Sequence, residues 1–128
     1  MFNIGDIVYF EKNDKSEKKN NYKIKPCVVI LEKEDDLYYI PISSGMDKYN
    51  KKRDRCILLS DNIFYPNRTS FIDIDNINKN KVYNATYTYI SLYNDFIVDL
   101  SNSLSDYFES IDEMENSAKD KSKVLTKR

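Results

Sequence analysis

The sequence has no histidine and no tryptophan, and only two glycines and two cysteines among its 128 residues. Imidazole is the usual general base near neutral pH and the commonest metal ligand, so its absence excludes a Ser-His-Asp triad, a Cys-His pair and a His-zinc site. Two cysteines cannot form a four-thiolate zinc site. The glycines are isolated, which excludes a glycine-rich phosphate loop. We therefore expect neither a metal nor a cofactor.

No apolar run approaches the roughly 20 residues that span a bilayer, and no signal peptide is visible. These absences predict a cytoplasmic protein that does not enter a membrane, with Cys27 and Cys56 as reduced thiols. The length is typical of one compact domain. We expect a single domain over residues 1–114 and a polar, frayed tail over residues 115–128.

The charges are balanced in number but segregated along the chain. There are 20 basic and 21 acidic residues, giving a net charge of −1. Residues 94–117 hold seven acidic side chains and no basic one, whereas residues 48–55, called here the basic segment, hold five basic side chains against Asp54 alone. A polyanion responds to the local field, so a net charge near zero does not exclude it as a ligand. The competing interpretation of the basic segment is a solvated loop.

Hydrophobic periodicity predicts short strands followed by one helix. Apolar alternation or short β-branched runs indicate strands within residues 1–10, 25–32, 37–42, 56–59, 69–77 and 82–90. Residues 11–21 and 43–54 are polar and predicted as loops. From Ser91, a plausible N-cap, apolar residues recur every three or four positions, as in an amphipathic helix. The predicted class is α+β: a small, strongly bent antiparallel sheet or barrel closed by a long C-terminal helix.

The second and third predicted strands form a hairpin, whose open end carries the most informative polar residues. Antiparallel pairing brings Lys23 and Lys25, which enter the first strand, close to Ser43 and Ser44, which leave the second. Cations and hydroxyls beside a basic segment suit a phosphate group. Lysine at a strand end is also a device that protects sheet edges, and this alternative stays open.

Two carboxylates, Asp73 and Asp75, share one face of a predicted strand. Such a pair suits a divalent cation, but the simpler interpretation is the solvent face of a half-buried strand.

Four stretches, in order, resemble the PemK/MazF-like family of toxin endoribonucleases. Residues 5–8 (Gly-Asp-Ile-Val) resemble its opening strand, and residues 25–30 (Lys-Pro-Cys-Val-Val-Ile) resemble its [RK]-P-x-[VL]-V-[IV] strand. Residues 39–44 (Tyr-Ile-Pro-Ile-Ser-Ser) resemble a strand end with P-[IL]-[TS]-S, and residues 70–77 resemble a later strand. The Pro-Ile-Ser-Ser string followed by lysines is similar to the ToxN/AbiQ-like branch, whose antitoxin is a repeat RNA.

The resemblance implies an SH3-like barrel that cuts single-stranded RNA without a metal, as the toxin of a toxin–antitoxin pair. It implies Lys25 and Ser43 as the catalytic residues, at positions where most members have Arg and Thr. It also implies a cognate antitoxin, either protein or RNA, and a homo-oligomer. Combined with the charge pattern, it predicts a set of RNA-binding residues in which Tyr49 stacks on a base: Lys23, Ser44, Lys48, Tyr49, Lys51, Lys52 and Arg53.

Chemically, RNA supplies its own nucleophile, the 2′-OH, so the missing histidine agrees with catalysis by positioning and charge neutralisation. The general base is left open between Lys25 and Lys23. Two other interpretations compete with this one. The first is a non-catalytic barrel that binds RNA or a protein. The second is a regulatory protein whose acidic helix, residues 94–117, contacts a basic partner.

Overall fold

The computed structural model describes residues 1–10, 25–59, 65 and 68–111. Within these ranges the chain forms seven β-strands, two short 3₁₀ turns (Arg53–Arg55 and Val82–Asn84) and the helices α1 and α2. The bounds, in chain order, are β1 Asp6–Phe10, β2 Cys27–Lys33, β3 Asp36–Ser44, α1 Met46–Lys51, β4 Cys56–Leu59, β5 Ser70–Asp73, β6 Asn78–Lys81, β7 Ala85–Ser91 and α2 Asn94–Ser103. Helical conformation resumes at residues 105–111.

The strands form a strongly curled antiparallel half-barrel, with the order β4-β5-β3-β2-β1-β7. The long strand β3 is its centre, because its first half pairs with β6 and its last three residues pair with β5 on the same edge. Pro41 lies where the partner changes. Ile42 donates its N–H towards β2, so the nitrogen of Pro41 faces the opposite edge, where the ladder passes from β6 to β5. Proline, which cannot donate, fits this gap.

Strands β2 and β3 form the predicted hairpin around a turn at residues 34–35. Lys33 pairs with Asp36, and Glu34 adopts a left-handed conformation with φ 55°. A β-branched run fills the centre of the hairpin because both faces of the sheet are covered here. The inner face carries the main core, which includes Val28, Ile40 and Ile42. The opposite face carries a smaller cluster of Val8, Cys27, Val29 and Leu37.

Helix α2 packs its apolar stripe against the inner face of the sheet. Leu100 and Leu104 are buried within the main core, and Phe96 packs beside them. Gly5 lies under the helix with φ 93°, and a Cβ there would meet Ile97 Cγ1 at 2.6 Å. Glycine is therefore required at this position, both for its conformation and for the close approach. Across the described ranges, no helix has the length and apolar character that a membrane crossing requires.

Several local expectations were wrong, although the α+β class is confirmed. Residues 43–54 are not a loop, because Ser43 and Ser44 belong to β3 and α1 follows. Ser91 does not cap a helix: it ends β7, and its hydroxyl donates to Asp6 at 2.7 Å. Helix α2 begins at Asn94 and ends at Ser103, and a turn at Leu104 separates it from residues 105–111. The predicted tail, residues 115–128, lies outside the described residues.

Two strand boundaries also differ. The strand expected over residues 69–77 is confined to β5, and the apolar alternation of residues 82–90 corresponds to β7 preceded by a 3₁₀ turn. Strand β6 has the sequence Asn-Lys-Asn-Lys, which carries no hydrophobic signal. It forms because β3 offers an unpaired edge to its backbone, a tertiary effect that overrides local propensity.

Candidate functional site

The ladder between β2 and β3 brings Lys25 and Ser43 together. Cys27 pairs with Pro41, and the Ile42 N–H donates to the Pro26 carbonyl oxygen at 2.8 Å. Extending this register by one more residue sets Lys25 opposite Ser43, and opposite residues in antiparallel strands have Cα atoms about 4.5–5.5 Å apart. Lys25 is exposed and Ser43 is half-buried, so both are accessible. The register thus makes Lys25 and Ser43 neighbours on one face of the sheet.

Ser43 and Ser44 do not act as a pair of adjacent hydroxyls, because successive side chains of a strand point to opposite faces. Ser43 is opposite Phe71, whereas Ser44 is opposite Ser70. Ser44 therefore shares the inner face with Ile42, and only Ser43 shares a face with Lys25. The Ser70 hydroxyl is fully buried and makes no hydrogen bond within the described part of the chain.

The basic segment lies along this face of the sheet, anchored by an aromatic contact. Gly45, at φ 112°, turns the chain out of β3, and its N–H donates to the Thr69 carbonyl oxygen at 2.8 Å. Helix α1 then places the Tyr49 ring 5.8 Å from that of Phe71, and the Arg53 guanidinium lies 5.7 Å above the Tyr49 ring. Tyr49 is only 9% exposed. Its predicted stacking on an RNA base stays a prediction, and this burial does not favour it.

Two of the five cations in the basic segment are paired with carboxylates at the end of β5 and just beyond it. Lys52 Nζ lies 3.0 Å from Asp73 Oδ2, and Arg55 contacts both oxygens of Asp75, at 2.8 and 3.2 Å. These contacts raise the pKa of Lys52 and of Arg55 and lower the pKa of Asp75. Asp73 is buried rather than solvent-facing, and it also accepts the Asp75 N–H at 3.0 Å. The two carboxylates are thus anchors for the basic segment.

The other three cations, Lys48, Lys51 and Arg53, are exposed and make no ion pair with any described residue. They follow Ser43 closely in the chain and lie on the segment that crosses its face of the sheet. This geometry separates cations that are available to an anion from cations that hold the fold. Lys23 lies outside the described residues.

A tyrosine that the sequence did not single out completes the hydrogen bonding at the end of β3. In an antiparallel pair that exchanges two hydrogen bonds, Pro26 would return a donor to the Ile42 carbonyl, but proline has none. The Tyr65 hydroxyl donates to that oxygen at 2.9 Å. Burial raises the pKa of Tyr65, so its phenol stays protonated and remains a donor near neutral pH. The missing donor of Pro26 was a signal that such a partner is needed, but nothing in the sequence identified which residue supplies it.

The two thiols are unsuited to nucleophilic chemistry. Burial raises the pKa of the Cys27 thiol to about 12, although the charge of Lys25 opposes this. Burial and the charge of Asp73 raise the pKa of Cys56. A thiol acts as a nucleophile through its thiolate, which is scarce in both cases. Over residues 1–10, 25–59, 65 and 68–111, no three Cys, Asp or Glu side chains converge as metal ligands.

The chain matches no protein-family model and no curated protein. The resemblance to PemK/MazF-like toxins therefore rests on its four motifs. The Gly-Asp pair of the first motif, residues 5–8, has structural roles here. Gly5 makes room for α2, and the buried Asp6 carboxylate accepts hydrogen bonds from the Asn3 N–H and the Ser91 hydroxyl.

Proposed function

We propose that the protein is a metal-independent endoribonuclease with a PemK/MazF-like barrel, which cleaves single-stranded RNA to 2′,3′-cyclic phosphate and 5′-OH ends. The observation that carries this proposal is the strand register that sets Lys25 opposite Ser43 on one face of the sheet, beside three cations that make no ion pair with a described residue. A phosphodiester needs charge neutralisation and hydrogen-bond donors, and both are present at this place.

In this reaction the 2′-oxygen forms a bond to the neighbouring phosphorus, the bond from phosphorus to the 5′-oxygen breaks, and the proton of the 2′-OH is lost while the 5′-oxygen gains one. Lys25 neutralises the charge that develops on the pentacovalent phosphate and is placed to move a proton. Ser43 donates to a non-bridging oxygen. Holding the phosphate in line with the 2′-oxygen supplies the remaining acceleration.

The basic segment binds the RNA backbone on either side of the cut through Lys48, Lys51 and Arg53. Lysine is a point-charge phosphate binder, whereas arginine binds phosphate through two parallel hydrogen bonds. Because phosphate contacts carry no sequence information, the preferred cleavage sequence depends on other surfaces. Lys23 is proposed as a further contact to the RNA, whereas Ser44 is not, because it shares the inner face with Ile42.

An enzyme that cuts cellular RNA in the cytoplasm arrests growth unless it is restrained. We therefore propose the role of a toxin held by a cognate antitoxin, either a protein or a repeat RNA, with a homo-oligomer as the assembled form. The motif resemblance supports this role. The exposed cations of the basic segment suit either an acidic peptide or an RNA backbone as the inhibitor.

The test is cleavage of a mixed-sequence single-stranded RNA in excess EDTA, with the new ends mapped. We expect 2′,3′-cyclic phosphate ends, and a rate that falls about 100-fold or more in Lys25→Ala and in Ser43→Ala, the scale seen when one transition-state donor is removed. The matched controls are Lys79→Ala and Ser105→Ala, at exposed residues of β6 and of the helical residues 105–111. Both should cleave at the wild-type rate.

Three outcomes would contradict the proposal: intact RNA, dependence on a divalent metal, or cleavage that the Lys25 and Ser43 variants do not reduce. RNA that is bound but never cut would favour the non-catalytic barrel. Single-stranded DNA of the same sequence must stay intact, because it lacks the attacking 2′-hydroxyl.

A further inference from the structure

The most specific feature near the candidate site is the hydrogen bond from Tyr65 to the Ile42 carbonyl oxygen, at 2.9 Å. This oxygen belongs to the peptide unit that joins Ile42 to Ser43. The same unit therefore contains the Ser43 nitrogen, and its orientation sets the direction in which the Ser43 side chain leaves the strand. A contact that fixes this plane also fixes the proposed catalytic hydroxyl.

The need for the contact follows from Pro26. Ile42 and Pro26 occupy positions that would exchange two hydrogen bonds, and the first of them, from the Ile42 N–H to the Pro26 oxygen, is present at 2.8 Å. The second cannot form, because proline has no N–H. Ile42 is fully buried, and an unsatisfied buried carbonyl is costly. The Tyr65 hydroxyl occupies the place of the missing donor.

We propose that Tyr65 is a positioning residue, which replaces the ladder hydrogen bond that Pro26 cannot make and thereby holds Ser43 opposite Lys25. The catalytic part of this inference rests on the proposed ribonuclease function, whereas the structural part does not. Tyr65, which lies 23 positions beyond Ile42, thus links the Lys-Pro motif to the serine at the end of β3.

A defect caused by removing the Tyr65 hydroxyl should therefore be repaired by removing the proline. Tyr65→Phe deletes the donor and leaves the Ile42 carbonyl unsatisfied. Adding Pro26→Ala supplies a backbone N–H at the position from which a regular ladder would donate. The chain then has the hydrogen bond again, although it comes from β2 instead of Tyr65.

The experiment compares wild type, Tyr65→Phe, Pro26→Ala and the double variant. The first measurement needs no RNA: the rate of amide hydrogen exchange at Ser43 is measured by NMR. We expect Tyr65→Phe to accelerate exchange about tenfold, the scale of one buried hydrogen bond, and the double variant to return it to the wild-type value. The control is Tyr83→Phe, because Tyr83 is 75% exposed and its loss of a hydroxyl should have no effect.

The second measurement is RNA cleavage. We expect Tyr65→Phe to lower kcat about tenfold with KM unchanged, since binding by the basic segment is retained, and the double variant to recover kcat. Unchanged Ser43 exchange in Tyr65→Phe, or exchange that Pro26→Ala does not restore, would overturn the inference. If the wild type cuts no RNA, the proposed function and the catalytic part both fail, and the exchange data alone decide the structural part.

Discussion

The basic segment and helix α2 are held against the same sheet by different forces. The basic segment is held by ion pairs from Asp73 and Asp75 and by one aromatic contact. Helix α2 is held by buried apolar side chains, chiefly Leu100 and Leu104. Ion pairs at a surface contribute little to stability, whereas each buried Leu contributes several kilocalories. Charge therefore places the basic segment, whereas apolar packing stabilises the fold.

The two regions also differ in sign. Residues 82–111 contain four acidic residues and no basic one, and several of their aromatic side chains are exposed, including Tyr83, Tyr89 and Tyr93. A polyanion is repelled from this surface and attracted to Lys48, Lys51 and Arg53. The separation explains how a chain of net charge −1 presents a face with exposed cations.

The largest expected effect is on the apolar side of this comparison. Leu100→Ala removes a fully buried side chain from the main core and should lower the free energy of unfolding by about 2–5 kcal/mol. Val98→Ala in the same helix is the control, since Val98 is 55% exposed and should change stability by less than about 0.5 kcal/mol. Urea denaturation measures both. If Leu100→Ala lowered the free energy of unfolding as little as Val98→Ala is expected to do, then α2 would not belong to the core.

An intermediate effect concerns the division of the cations. Two double variants leave the net charge unchanged: Lys51→Ala with Asp47→Asn, and Lys52→Ala with Asp73→Asn. Binding of a 2′-O-methylated single-stranded RNA is measured over a range of KCl concentrations. Removing one phosphate contact lowers the slope of log affinity against log salt by about 0.7. We expect this decrease in slope only for the double variant of Lys51 and Asp47, because Lys52 is already bound to Asp73.

The same decrease in slope for the double variant of Lys52 and Asp73 would show that Lys52 contacts RNA despite its ion pair. Because Asp73 is mostly buried, thermal melting of the Lys52 pair is recorded first, so that a folding defect is not mistaken for a binding defect.

The smallest expected effect concerns backbone strain in β7. The register between β1 and β7 shifts at this place, and Tyr89 there has φ 63°, a left-handed conformation that bulky residues rarely adopt. Asn tolerates it and Ala does not, so Tyr89→Asn should be more stable than Tyr89→Ala by about 1 kcal/mol. Both variants lose the ring contact with Tyr87, which removes that difference from the comparison. At Tyr83, which lacks a positive φ, the Asn variant should have no such advantage.

Local patterns predicted the elements whose signal is hydrophobic. The run from Cys27 to Leu31 and the acidic turn after it identified the hairpin, and the recurrence of Phe96, Leu100 and Leu104 identified α2. Elements stabilised by tertiary contacts were missed. Strand β6 has no apolar residue, and α1 has six residues of which only Tyr49 is buried, with its ring packed on Phe71. Ser91 had the residue type of a cap, yet its hydroxyl is committed to Asp6.

The sequence was sufficient to predict that the open end of the hairpin brings Lys25 close to Ser43 and Ser44, because antiparallel pairing joins the entry of one strand to the exit of the other. It also determined the segregation of charge along the chain. The structure was needed to show which cations are available and which hydroxyl faces Lys25. The turn register, with Lys33 opposite Asp36, would set Ser44 opposite Lys25, and the irregularity between Val29 and Leu31 shifts the pairing to Ser43. Lys52 is paired with Asp73, 21 residues away, and the Ile42 carbonyl with Tyr65, 23 residues away. Contacts across such separations depend on how the sheet curls, which no local pattern encodes.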